Sequence, residues 1–261
     1  MAGGAHIDGM RDQAAAKEKR SAFAVPQGVR VYAFGDIHGR FDLLRPLYEA
    51  VEADLAARPV GRSVEIFLGD YVDRGPASRQ VLEFLAAGEP VCDERLCLKG
   101  NHEAMFLQVL EEPELLPYWM SQGGAATILS FGVATPRDAR RETLLACRDA
   151  LTEAIGPGLR AFVENLSLME RIGDYLFVHA GIDPARPLTA QREEDLVWIR
   201  EPFLSSEADF GVCVVHGHTP VRQVEARANR IDIDTGAFAT DILSCLVLEG
   251  RSRRLLATKG G

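Results

Sequence analysis

The chain has 261 residues, 47% of them hydrophobic, which is enough for a substantial core in one large domain or two small ones. Its 38 acidic against 29 basic side chains give a formal net charge of −9. That balance excludes a general attraction to nucleic acid and leaves any anionic substrate to local cations, either basic side chains or metal ions.

Residues 1–28 are small, polar and charged, with no apolar core of a signal peptide. They are expected to form a flexible N-terminal arm, partly helical over 10–20, ahead of a folded domain over 29–261. No apolar run reaches the roughly 18 to 20 residues of a membrane span, so no membrane partner is expected. The five cysteines, Cys92, Cys97, Cys147, Cys213 and Cys245, are odd in number and include no C-x-x-C. Cys92 and Cys97 are close enough to pair or to share a metal, but small buried thiols in a reducing cytoplasm are the simpler expectation.

VRVYAFG (29–35) is apolar and β-branched and predicts a buried strand running into Gly-Asp. FDLLRPLYEAVEADLAA (41–57) has apolar residues at helical spacing. SVEIFLGD and SRQVLEFLAA repeat the strand and the helix, and ERLCLKGN predicts a third strand. This is the pattern of an α/β fold with its functional loops at the carboxyl ends of strands. Residues 112–170 read instead as helices broken by glycine and proline, and are expected to form a helical cap insertion over one end of the sheet. Strands return in YLFVHAG and VCVVHGH, then in a hairpin over 221–236 and in ILSCLVLEG and RRLLAT. One domain with two β-rich halves and a helical cap is expected.

The predicted strand ends collect the chemistry. They carry Gly35-Asp36-Ile37-His38-Gly39, Gly69-Asp70-Tyr71-Val72-Asp73-Arg74-Gly75, Gly100-Asn101-His102-Glu103, Val178-His179-Ala180-Gly181 and Val215-His216-Gly217-His218-Thr219. Five of the six histidines lie in these blocks, and His6, the exception, is expected to be exposed and uninvolved. Asp36 and His38 are two apart, so in extended backbone they project from one face and can reach one ion together. Asp70, after the neighbouring strand, can place a carboxylate between two ions. Asn101, His179 and His218 add neutral oxygen and nitrogen ligands. Such a set without thiolate suits Mn foremost, with Fe or Zn as alternatives, rather than copper or an iron–sulfur cluster. Two ions sharing Asp70 are expected roughly 3.5 to 4 Å apart. Gly156-Pro157-Gly158 is not a dinucleotide loop, and there is no phosphate loop of the G-x-x-x-x-G-K-[ST] type.

GDIHG, GDYVDRG and GNHE, in this order, resemble the three signature blocks of the PPP-type phosphoprotein phosphatases of the calcineurin-like metallophosphoesterase superfamily. VHAG and GHT resemble that superfamily's later histidine blocks. The resemblance spans 30–236 and implies a β-sandwich flanked by helices, in α/β/β/α layers. It implies that Asp36, His38 and Asp70 hold one divalent ion and that Asp70, Asn101, His179 and His218 hold the second. A hydroxide bridging the ions would attack phosphorus in line. Arg74 and, on a looser match, Arg200 would grip the phosphoryl oxygens, with Asn101 also facing substrate. His102 would protonate the leaving oxygen, held charged and oriented by Asp73. His216 has no ligand position in the pattern and is expected behind the site, while Tyr71 and Glu103 are expected to support ligands.

The substrate is less determined. Eukaryotic-type members carry arginine just before GNHE, where this chain has Lys99, and they have a longer tail after the last ligand. The compact form resembles bacterial serine/threonine protein phosphatases and symmetrical diadenosine tetraphosphate hydrolases. The expectation is a protein phosphatase acting on phosphorylated protein or a small phosphoester, with the dinucleotide hydrolase as the alternative. An inactive metal-binding scaffold is remote, because no catalytic position is missing. A dinucleotide hydrolase needs aromatic side chains to hold adenine, and only Tyr118, Trp119, Phe131 and Phe162 offer themselves in the insertion.

Overall fold

The computed structural model describes Lys19–Arg20 and residues 22–259. In chain order its elements are β1 (Lys19–Arg20), β2 (Val29–Phe34), α1 (Phe41–Ala57), β3 (Arg62–Phe67), α2 (Ser78–Ala87), β4 (Glu94–Cys97) and α3 (Asn101–Glu111). The insertion contributes α4 (Leu116–Trp119), α5 (Ala125–Ser130) and α6 (Arg141–Glu164). Then come β5 (Met169–Ile172), β6 (Tyr175–Val178), α7 (Glu193–Trp198), β7 (Cys213–His216), β8 (Glu225–Ala226), β9 (Arg230–Asp232), α8 (Ala237–Thr240), β10 (Ser244–Glu249) and β11 (Ser252–Ala257).

The strands form two sheets, ordered β1-β11-β10-β2-β3-β4 and β5-β6-β7-β9-β8. β2, β3 and β4 run parallel, as do β6, β7 and β9. The period-two alternation of the strands divides the core. Val31, Ala33, Val64, Ile66, Leu246 and Leu248 face the second sheet, where Tyr175, Phe177, Cys213, Val215 and Ile231 meet them. Tyr32, Phe34, Phe67, Cys245 and Val247 face the other way, into the helices. On the far side of the second sheet, Leu176, Val178 and Val214 pack with Leu196 of α7 and Phe203. The layers are therefore helix, sheet, sheet, helix, as the sandwich expectation requires.

Helix α1 buries Leu44, Leu47, Tyr48 and Val51, a stripe at helical spacing, against the first sheet. The insertion packs into the helical layer, and its Trp119, Gly123 and Thr127 reach the loop that follows β3 at the carboxyl end of the sheet. Leu116, Trp119, Ile128, Phe131, Leu144, Leu151 and Ile155 join the same apolar cluster as α1 to α3, with α5 packed on α2 and α6 on α3. It widens the helical layer sideways, because its apolar face matches the flanks of α2 and α3. It also ends earlier than residue 170. Met169–Ile172 is a strand paired antiparallel with β6 through a turn at Gly173, whose φ of 61° only glycine adopts readily. Four residues of alternation directly behind a helical run gave too short a signal.

The domain also starts earlier than Val29. Val25 is buried between the sheets and its N–H donates to Gly250 O at 3.0 Å, while Ala24 N donates to Asp174 Oδ2 at 3.0 Å. Lys19–Arg20 pairs with β11 instead of continuing a helix; the rest of the 10–20 segment, and His6, lie outside the described residues. All five cysteines are free, and four of them are buried. Among the described residues, no helix is long and apolar enough to cross a membrane.

Candidate dinuclear metal centre

The loops after β2, β3, β4, β6 and β7 converge at the carboxyl ends of both parallel runs, where open α/β sheets place their ligands. They bring Asp36, His38, Asp70, Asn101, His102, His179 and His218 together, all of them buried. Two compact sets of ligand atoms form, His38 with Asp70 and His102, and Asp70 with His179 and His218, and they share Asp70. Asp36 stands at the edge of these sets. Its Oδ2 accepts His218 N–H at 3.0 Å, and its Oδ1 is buried without a partner. Asp36 and His38 are not joined by the extended backbone expected from their spacing, since His38 has φ of 46°.

Left-handed backbone is concentrated here. Six non-glycine residues among those described have positive φ, and five are His38, Asp70, Asp73, Arg74 and His218. Each costs on the order of 1 kcal/mol, a cost that persists where a site requires an unusual aim of the side chain. Glu103 holds much of this shape. Its buried carboxylate accepts backbone N–H groups of Asp70 at 2.8 Å, Tyr71 at 2.7 Å, Val72 at 3.2 Å and Gly100 at 3.0 Å. Tyr71 donates its hydroxyl to Leu98 O at 2.6 Å. Both residues support the loops, as expected from sequence.

Hydrogen-bond chemistry tests whether cations fit. His38 Nδ1 lies 2.9 Å from Val72 O, and His179 Nδ1 lies 3.0 Å from Leu68 O. A carbonyl only accepts, so each Nδ1 carries the proton and each Nε2 presents a lone pair. Burial keeps both rings neutral, lowering His38 to about 3 and His179 below the ordinary histidine value. These lone pairs face Asp70, His38 Nε2 at 3.5 Å from Oδ2 and His179 Nε2 at 3.4 Å from Oδ1. Lone pair against carboxylate is repulsive unless a cation lies between them. Asn101 Oδ1 adds a further acceptor, 3.0 Å from His179 Nε2 and 2.8 Å from His218 Nδ1. His218 Nε2 is buried and unpartnered. Burial alone would raise Asp70, yet it stands well below the usual carboxylate range, with the one charged ring of the site, His102, placing Nε2 3.9 Å from its Oδ2. The donor set therefore fits two divalent ions sharing one carboxylate.

His102 is the exception among the rings. Burial opposes its charge, yet the Asp70 carboxylate and a 2.6 Å hydrogen bond from Nδ1 to Asp73 Oδ2 raise it to about 9. Its Nε2 lies 3.3 Å from Arg74 Nη2. With the imidazole charged, two N–H donors converge and the acceptor they lack is an anion. Arg200 is exposed at the rim and near enough to lower His179 and His218 electrostatically. His216 joins neither ligand set. Burial holds it neutral, at about 3, with Nδ1 3.1 Å from Gly217 O and its ring edge-on to Phe203.

Some participants escaped the sequence reading. Trp119, expected only to pack, donates Nε1–H to Asp73 Oδ2 at 2.8 Å, and Thr127 donates its hydroxyl to Asp73 Oδ1 at 2.7 Å. Asp234, after β9, is buried beside Asp36, and both carboxyls are raised by burial, Asp234 to about 6. The strand ending Ile-Asp-Ile-Asp-Thr-Gly has the same form as the other blocks, which was an available signal.

The sequence profile of the calcineurin-like phosphoesterases matches residues 29–243. The chain belongs to the calcineurin-like phosphoesterase family. Members of this family work with a dinuclear metal centre, in keeping with the two ligand sets that share Asp70. Among its relatives, a symmetrical bis(5'-nucleosyl)-tetraphosphatase of Methylococcus capsulatus is 31% identical over 59% of this chain and 44% of its own length. Shewanella-like protein phosphatase 2 of Arabidopsis thaliana is 26% identical over 59% of this chain and 46% of its own. The chain thus spans less than half the length of these curated relatives. The crystal structure of a cold-active protein-tyrosine phosphatase from a psychrophilic Shewanella superposes with a TM-score of 0.55 at 16% identity, covering 90% of this chain and 83% of that one, which shows a shared fold.

Proposed function

We propose that this chain hydrolyses phosphomonoesters and that phosphoserine or phosphothreonine in protein is its substrate class. Asp36, His38 and Asp70 would hold one divalent ion, and Asp70, Asn101, His179 and His218 the other. Bound ions supply Lewis acidity and water of lowered pKa. His102, charged at neutral pH, donates its Nε2 proton to the leaving oxygen, and Asp73 keeps the ring oriented and charged. Arg74 and Arg200 take the phosphoryl oxygens, and Asn101 stands beside them. The observation that carries the chemistry is the pair of imidazole Nε2 atoms facing Asp70 at 3.5 and 3.4 Å, each ring anchored through Nδ1 to a backbone carbonyl. Mn is the first choice of metal on the mixed donor set, with Fe and Zn next. The free cysteines agree with a cytoplasmic setting.

The preference for protein over dinucleotide rests on the insertion. A tetraphosphate hydrolase needs aromatic faces for adenine. Trp119 is 0% exposed and occupied by Asp73, and Phe131 is buried, which leaves Tyr118 as the one strongly exposed ring among those four. The dinucleotide reading is supported by the symmetrical bis(5'-nucleosyl)-tetraphosphatase among the relatives and by Trp198, 40% exposed and edge-on to His218 with ring centroids 6.2 Å apart. A side-by-side assay of the Mn-loaded protein tests the choice. A phosphoserine peptide and p-nitrophenyl phosphate are expected to turn over with higher kcat/KM than diadenosine tetraphosphate. A dinucleotide advantage of about tenfold, ~1.4 kcal/mol in transition-state binding, overturns the preference.

A further inference from the structure

We infer that Phe238 is a positioning residue that aims the Arg74 guanidinium at the phosphoryl group through its ring face. This inference rests on the reading of Arg74 as a phosphate-binding side chain.

Arg74 forms no ion pair with a carboxylate among the described residues. Its guanidinium carbon instead lies 4.4 Å from the centroid of the Phe238 ring. Its backbone N–H donates to Gly123 O at 3.1 Å, and a Cβ added at Gly123 would sit 2.7 Å from Arg74 Cγ. The stem is thus hemmed in by the insertion and the planar head lies against the ring. An arginine held by a carboxylate would have its fork already satisfied. Held by an aromatic face, it is oriented and keeps its N–H groups, one of them 3.3 Å from His102 Nε2, clear of any carboxylate and available to an anion.

The ring itself is fixed. Its edge meets the His38 imidazole, with centroids 5.4 Å apart and planes at 87°. Phe238 lies on α8, a single turn flanked by left-handed Gly236 and Asp241. Arg40 pins both ends of that turn, through Nη1 to Ala237 O at 2.9 Å and to Asp241 Oδ1 at 2.6 Å. Thr240 closes it with a hydroxyl bond to Thr235 O at 2.8 Å. Arg40 follows the Asp36–Gly39 loop directly, so the loop that carries His38 also fixes the turn that carries Phe238. The half-buried ring is therefore built into the site wall.

The test measures inorganic phosphate binding to the Mn-loaded protein by calorimetry, with steady-state kinetics alongside. Wild type, F238L, F238W, R74A and the F238L/R74A double variant are compared. F238L keeps the bulk and removes the π face. It is expected to weaken phosphate binding about fivefold (~1 kcal/mol) and to raise KM more than it lowers kcat. F238W restores the face and is expected to bind phosphate within about twofold of wild type. R74A is expected to cost about tenfold or more, and adding F238L to it should change affinity less than about twofold. A purely structural ring would show the same F238L loss in both backgrounds, and that outcome overturns the inference, as does unchanged affinity in F238L. If R74A itself binds phosphate as wild type does, the reading of Arg74 fails and the inference falls with it. If F238L does not fold, a loss of affinity in F238W overturns the inference.

Discussion

The carboxylate of Asp73 is bound on three sides, Oδ2 by His102 Nδ1 at 2.6 Å and Trp119 Nε1 at 2.8 Å, Oδ1 by the Thr127 hydroxyl at 2.7 Å. Its own backbone N–H donates to Thr127 Oγ1 at 2.8 Å. A carboxylate so fixed has one orientation, and the imidazole that donates to it inherits that orientation. D73N keeps the shape and removes the charge that helps His102 stay protonated. Its kcat is expected to fall about 100-fold with unchanged metal content. W119F removes one donor and leaves the pair in place, so a several-fold kcat loss and about 1 kcal/mol of stability are expected. A D73N enzyme within a factor of about two of wild type would remove His102 from the role of acid.

Asp70 is common to both compact ligand sets, whereas His218 belongs to one. D70N and H218A therefore separate a shared ligand from a private one. From about two ions per chain in wild type, D70N is expected to retain fewer than one and H218A about one. Elemental analysis after gel filtration reads this without any substrate. Equal losses in the two variants would mean that Asp70 does not bridge.

Gly100 lies where the loops after β3 and β4 touch. A Cβ there would stand 2.2 Å from Asp70 Oδ1 and 2.4 Å from Asp70 N, contacts that real structures do not tolerate. G100A must displace Asp70 or the Asn101–His102 turn. About 1 to 3 kcal/mol of stability is expected to go, together with metal affinity. A thermal melt and metal titration on one sample check both. G100A with normal metal content would show that the loop has slack the geometry denies.

The candidate metal ligands were legible because they follow strands in sequence, and the first of these, VRVYAF, announces itself as apolar apart from Arg30. Their aim was not legible. Left-handed backbone at His38 replaces the extended geometry that a two-residue spacing suggests, so His102 joins His38 and Asp70 while Asp36 turns toward His218 N–H. The supports of Asp73 come from 46 and 54 residues away along the chain, on helices whose own pattern speaks only of packing. Phe238 stacks on Arg74 across an even longer separation. Local periodicity carries no information about such partners, because tertiary packing of the insertion and of α8 brings them in.

Far from the metal centre, Asp54 on α1 ties the helix to the first sheet. Arg254 grips it in a two-point pair at 3.0 Å each, the Tyr32 hydroxyl donates to Oδ2 at 2.6 Å, and Arg58 bonds Oδ1. Burial alone would raise this carboxyl, but Arg254 and Tyr32 outweigh it and lower it to about 2 from an ordinary 3.8. A folded pKa below the unfolded one gives stability that is complete above about pH 4 and is lost as pH falls toward about 2. The shift corresponds to about 2 kcal/mol. D54N removes it and leaves the buried Arg30 with Glu249 as its one remaining carboxylate. At pH 7 the variant is expected to be about 3 kcal/mol less stable, with metal content unchanged. Urea unfolding at intervals from pH 7 to pH 2 should show the gap between wild type and D54N narrowing below pH 4, because the acid removes from wild type what the substitution removes outright. A gap that stays constant to pH 2 would mean that Asp54 contributes through packing and not through its charge.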